Sequence, residues 1–90
     1  MADKPRVIVE FFALARFRTG LKELPLRAAT VNEAIREVAR RCPGLTELRP
    51  DFSDRMPFLI SLNAGPFLTT WDVELADGDR LLLLSADAGG

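Results

Sequence analysis

Apolar and polar positions along the chain divide it into short segments of contrasting period. In residues 6–12, Val7, Ile8, Val9, Phe11 and Phe12 are apolar on both alternating faces and only Glu10 interrupts them, as in an interior strand. Residues 13–20 read as a connection carrying Arg16 and Arg18. Residues 21–28 alternate Leu24 and Leu26 with polar neighbours around Pro25. A proline there fits an edge strand, where its missing N–H breaks no ladder bond. Thr30 and Glu33 then form a capping box, and Val31, Ala34, Ile35, Val38, Ala39 and Cys42 recur at helical spacing until Pro43-Gly44 stops the pattern. Arg36, Arg40 and Arg41 lie off that stripe, favour its C-terminal half and read as a solvated face.

The second half of the chain returns to a period of two. Residues 45–55 are irregular and polar, with Leu45 and Leu48 able to tuck against a core. Residues 57–63 place Phe58, Ile60 and Leu62 on one face of a strand. Asn63-Ala64-Gly65 is turn material, and residues 67–71 read as the returning hairpin strand. Asp77-Gly78-Asp79 makes a second tight turn into Leu81-Leu82-Leu83-Leu84, again apolar on both faces and therefore central. Two doubly apolar strands, one early and one late, belong side by side in the middle of a sheet. The predicted fold is therefore α+β, a β-grasp (ubiquitin-like) arrangement: a mixed sheet of about five strands with one main helix on one face. Residues 1–84 form a single domain, and residues 85–90 form a tail ending in Gly89-Gly90. Leu82 and Leu84 point away from Leu81 and Leu83, Ile8 or Phe12 joins the outward pair, and such an apolar patch either marks a contact with a partner or lies under the chain's own loops.

Composition narrows the chemistry. Ninety residues, 48% hydrophobic and 28% charged, are enough for one small core and fit neither a disordered nor a membrane protein. A net charge of −1 gives no general affinity for nucleic acid, and no apolar run is long enough to span a bilayer. The start of the chain lacks a signal-peptide profile, and a single cysteine excludes an internal disulfide, which fits a cytoplasmic protein. There is no histidine, which removes Ser/His and Cys/His nucleophile pairs and every zinc site that needs several Cys or His ligands, and no metal site is expected. Cys42 sits on the apolar stripe and reads as a packing thiol, Asp77 and Asp79 as turn residues, Trp71 as packing, and Arg16 and Arg18 as a solvated loop.

What remains is the end of the chain. Two glycines without side chains can thread a narrow cleft and present a terminal carboxylate close to another protein's backbone. Six residues from Ser85 to Gly90, at about 3.3–3.6 Å each, reach roughly 20 Å beyond the last strand. A protein that lends its end group to another enzyme's active site needs no catalytic side chains of its own.

The run Leu75-Ala76-Asp77-Gly78-Asp79-Arg80-Leu81-Leu82-Leu83-Leu84, a short tail and the final Gly89-Gly90 resemble the ThiS/MoaD family of ubiquitin-like sulfur carriers. Phe12-Ala13 with Arg16 and Gly20, Thr30-Val31, Cys42-Pro43-Gly44-Leu45 and Leu62-Asn63 add to the resemblance, which covers essentially the whole chain. The resemblance implies that an E1-like enzyme uses ATP to adenylate the carboxylate of Gly90, that a persulfide protein or sulfide converts it to a thiocarboxylate, and that an acceptor enzyme takes the sulfur. It implies no cofactor bound to the chain itself; the ATP belongs to the activating partner. Gly89, Ala88 and Asp87, with Leu82 and Leu84 on the sheet, are then the partner-binding residues. The tail lacks the paired prolines of some molybdopterin-type members, whereas the long connection over residues 43–56 favours the MoaD-like branch and hence the small subunit of a molybdopterin synthase. Carriers serving thiamin, cysteine or tRNA thiolation, a modifier joined to lysines through Gly90, and a plain interaction domain are the alternatives.

Overall fold

The computed structural model describes residues 3–45 and 58–85. Its elements are β1 (Arg6–Phe11), α1 (Ala13–Thr19), β2 (Glu23–Arg27), α2 (Val31–Arg41), β3 (Phe58–Leu62) and β4 (Arg80–Ser85). The sheet order is β2-β1-β4-β3, with β1 and β4 parallel and the two outer pairs antiparallel. The doubly apolar strands therefore lie side by side at the centre, and β2, with Pro25, forms an edge.

The alternation of β1 decides which face is covered. Val7, Val9 and Phe11 are buried, and register sets Val9 beside Leu81 and Phe11 beside Leu83. Against that face packs α2, whose Val31, Ala34, Ile35 and Val38 are buried. The Thr30 side chain accepts from the Glu33 N–H, while Glu33 bonds the Ala29 N–H rather than that of Thr30, so the cap reaches one residue further back than the capping box read from the sequence. Along its solvent side Glu37 pairs with Arg40 and Arg41, one turn apart. Leu45 and Trp71 complete the core; Leu48 lies outside the described residues.

Three expectations need correction. Four strands are present among the described residues, not about five. Residues 13–20 are not a bare connection, because Ala13–Thr19 form a second helix closed by Gly20 in the left-handed region (φ 72°), whose N–H donates to the Arg16 carbonyl. Residues 67–71 are not a hairpin strand: Phe67 makes one isolated bridge to Ser61, and the chain then leaves β3. It docks instead on the start of α2, where Val31 and Asn32 donate to the carbonyls of Val73 and Trp71, and Leu75 donates to Ala29. Trp71 and Leu75 are buried while Asp72 and Glu74 are exposed, and that alternation was the sequence signal for a segment pinned beneath the helix.

Candidate functional site

The end of β4 is where the sequence places the chemistry. Being central, β4 has both backbone edges paired, with β1 and β3. Its entry is fixed by the turn at Asp77-Gly78-Asp79. Asp77 Oδ1 accepts from the Arg6 N–H at 2.7 Å, and Asp79 Oδ2 accepts from the Ala76 N–H at 2.8 Å. Asn63 joins that turn to the end of β3, donating to Asp79 Oδ1 and accepting from the Arg80 N–H. Both aspartates are thus committed to backbone, as turn chemistry requires. At the exit of β4 the Leu83 carbonyl accepts from the Phe12 N–H at 3.0 Å, which ties the strand to the start of α1.

Leu81 and Leu83 are buried, and Leu82 and Leu84 lie half-buried on the opposite face, as the alternation predicts. Register puts Leu84 beside Leu59, and Leu82 between Ser61 and Glu10. Ile8 shares this face, half-buried and opposite Pro25. Between the apolar ends sits an ionic group. The Arg80 guanidinium bonds Glu10 and lies 3.5 Å from Glu23, and those partners, the Glu10 bond foremost, raise its pKa further. One face of the four-stranded sheet therefore carries apolar side chains near the exit of β4 and a fixed charge cluster behind them. Asp87, Ala88, Gly89 and Gly90 lie outside the described residues.

Other candidates take structural positions. Cys42 is buried at the end of α2, and burial pushes its thiol pKa up against the opposing pull of Arg41. Arg16 is not merely solvated: its Nε donates to the Phe11 carbonyl at 3.0 Å and its guanidinium lies 5.7 Å from the Phe12 ring centre. A shallow groove of about 640 Å³ between Arg6, Ile8, Pro25, Arg27, Asp77 and Gly78 lies at the start of β1, the opposite end of the sheet from the exit of β4. Sequence reasoning missed the apolar side of α1, where Phe17 is 84% exposed. Its signal was Leu14, Phe17 and Leu21 at three- and four-residue spacing before and after Thr19-Gly20. Among the described residues no group of three or more potential ligands could hold a metal ion, and no helix is long and apolar enough to cross a membrane.

No protein-family model and no curated protein sequence matches this chain. Solved structures do. The small archaeal modifier protein 1 (SAMP1) from Methanosarcina acetivorans is similar in fold, with a TM-score of 0.78 and 24% identity over 99% of this chain and 100% of that one. A putative molybdopterin converting factor, subunit 1, from Pyrococcus furiosus gives a TM-score of 0.74 and 26% identity over 91% of this chain and 98% of that one. A chain of the BexX/CysO complex from Amycolatopsis orientalis gives 0.70 and 27% over 93% and 99%. The neighbours share the mixed sheet and ubiquitin-like β-grasp fold expected from the sequence.

Proposed function

We propose that this chain, a ubiquitin-like protein of the ThiS/MoaD type within a group of sulfur carriers and modifiers, is a sulfur carrier whose reactive group is the Gly90 carboxylate. The observation that carries the reading is β4. Held on both edges and tied to α1 through Leu83, it gives a rigid base from which residues 86–90 continue.

A carboxylate is a poor electrophile until it bears a leaving group. In the proposed sequence an E1-like partner lets a Gly90 carboxylate oxygen attack the α-phosphorus of ATP, and pyrophosphate departs. Hydrosulfide then attacks the acyl carbon and AMP departs, leaving the thiocarboxylate. With a persulfide donor the first product is an acyl disulfide, whose S–S bond a thiol cleaves to the same end. An acceptor enzyme takes the sulfur, and water restores the carboxylate. The chain supplies no acid, base or bound cofactor to these steps; it supplies a reactive end and surfaces that dock. Leu82 and Leu84 on the sheet, with Asp87, Ala88 and Gly89 on the tail, are the docking residues of this proposal.

Within that reading, the acceptor is the large subunit of a molybdopterin synthase. The similarity to a putative molybdopterin converting factor subunit supports this, as does the long connection after α2. The test is the intact mass of the chain purified from its host under non-reducing conditions. One oxygen replaced by sulfur in the terminal peptide is the expected result. Failure to form it with ATP, a sulfur donor and the host's E1-like proteins would overturn the proposal. Covalent adducts on lysines of other proteins, without sulfur transfer, would make the chain a modifier.

A further inference from the structure

The most exposed large apolar side chain among the described residues lies on α1. Phe17 is 84% exposed, and Leu14 and Leu21, three residues before and four after it, are 39% and 38% exposed. In α1 only Ala15 is buried, so this short helix turns its large apolar side chains outward. It is nonetheless held firmly. Arg16 anchors it to the Phe11 carbonyl, Thr19 Oγ1 donates to the Ala15 carbonyl at 3.0 Å, and Gly20 closes it. A solvent-facing aromatic on a firmly held helix, with two partly exposed leucines close in sequence, has the composition of an interface anchor.

Charge indicates what it meets. Residues 13–22 contain Arg16, Arg18 and Lys22 and no carboxylate, in a chain whose net charge is −1. Position indicates where the partner sits, since α1 follows directly on Phe12, whose N–H bonds the Leu83 carbonyl beside the exit of β4. A second copy of the chain would set these cations against themselves. A seven-residue helix with so few apolar groups falls short of a stable bilayer anchor.

We infer that α1 is the element by which the adenylating partner recognises this chain. Phe17, flanked by Leu14 and Leu21, enters an apolar pocket on that protein, and Arg18 and Lys22 meet carboxylates on its rim. The inference rests on the proposed sulfur-carrier function. Adenylation is the step at which the tail is still an ordinary carboxylate, so selection at that step must come from the folded part of the carrier. Downstream, the thiocarboxylate is itself a distinguishing group.

The experiment is chain-dependent ATP–pyrophosphate exchange by the host's purified E1-like adenylating protein, with the full-length chain as the varied substrate. Phe17→Ser is expected to raise KM about tenfold or more with kcat nearly unchanged. Paired Arg18→Glu and Lys22→Glu changes should also raise KM, by a factor that shrinks at high salt. Phe67→Ser, at an exposed aromatic on the loop after β3, should leave KM unchanged. Circular dichroism verifies that each variant is folded. A wild-type KM in Phe17→Ser overturns the inference and leaves the carrier function standing. No exchange with the wild-type chain overturns that function and the inference with it. An unchanged KM alongside a wild-type dimer, or binding to phosphatidylglycerol vesicles, that Phe17→Ser abolishes overturns it in favour of a second copy or a membrane.

Discussion

The carbonyl oxygen of Arg18 stands 2.9 Å from where a Cβ on Gly44 would lie, so the end of α1 and the stop after α2 meet backbone to backbone. Real side chains do not tolerate that approach, and neither partner is a flexible tip that can swing aside. Gly44→Ala should therefore cost about 1–3 kcal/mol through overpacking. At about 4–8 °C per kcal/mol for a domain of this size, thermal unfolding would register it clearly. Gly20→Ala is the contrasting case, with open space around it but φ at 72°, and should cost roughly 1–2 kcal/mol by strain. Asparagine should recover part of the loss at 20 and none at 44. Equal stability of wild type and Gly44→Ala would show that the contact is looser than the backbone geometry implies.

That contact belongs to the part of the fold that periodicity hid. The helix α2 and the strands β1 and β4 declared themselves because each buries a repeating set of side chains, and a buried repeat leaves a period in the sequence. In α1 a single alanine is buried, no side chain caps its start, and its leucine and phenylalanine face solvent. No inward stripe was there to read, and the remaining signs were the outward spacing of Leu14, Phe17 and Leu21 and Gly20 as a stop. The second difference concerns residues 67–71, whose place after the turn at 63–65 suggests a hairpin partner for β3, while Trp71, with Leu75 beyond it, alternates inward to serve the start of α2. On the candidate site, the split between Leu81 and Leu83 inside and Leu82 and Leu84 outside followed from strand alternation. Arg80 bridging Glu10 and Glu23 depends on register across three strands, which no local pattern encodes.

The cap of α2 carries a pH dependence. Glu33 accepts from Lys4 at 2.8 Å and from the Ala29 N–H at 3.2 Å, and these bonds, Lys4's first, hold its carboxyl below the ordinary 4.5. A lowered native pKa means the unfolded chain takes up the proton first. The stabilisation is thus complete above pH 4.5 and is lost as the pH falls through the lower native value. Glu37, lowered chiefly by its bond from Arg40, adds to the same acid slope. Glu33→Gln should reduce stability at pH 7 and flatten the loss on acidification without abolishing it, and salt should weaken the Lys4 share. Thr30→Ala should cost about 1 kcal/mol at both pH values. Urea midpoints at pH 7 and pH 3 separate the two; an unaltered acid slope in Glu33→Gln would remove Glu33 from this role.

A buried thiol with a raised pKa should be inert in the folded protein. Cys42 is 5% exposed, so a disulfide reagent should label it only as fast as the end of α2 opens. Labelling in native buffer should be slow and should accelerate with urea along the unfolding curve. Cys42→Ala should lose on the order of 1 kcal/mol and keep sulfur-carrier activity. Rapid labelling of the native protein, or loss of thiocarboxylate formation in a folded Cys42→Ala variant, would instead make this thiol a participant in sulfur transfer.

Adjacent leucines on β4 separate folding from docking. Leu83 is 1% exposed, and truncating it to alanine should cost about 2–5 kcal/mol and lower activity only in proportion to the folded fraction. Leu84 lies on the other face, its cross-strand partner being the half-buried Leu59. Such a pair contributes roughly 0.2–1 kcal/mol, so Leu84→Asp should stay folded. On the proposed function this apolar face docks on the acceptor enzyme, and a carboxylate there would have to be desolvated. Sulfur transfer from the thiocarboxylated Leu84→Asp chain should therefore fall about tenfold or more while its unfolding midpoint moves little. Single-turnover transfer to the acceptor, set beside urea unfolding of the same preparation, measures both. Wild-type transfer by Leu84→Asp would take this face of the sheet out of the docking surface and leave recognition of the acceptor to the tail.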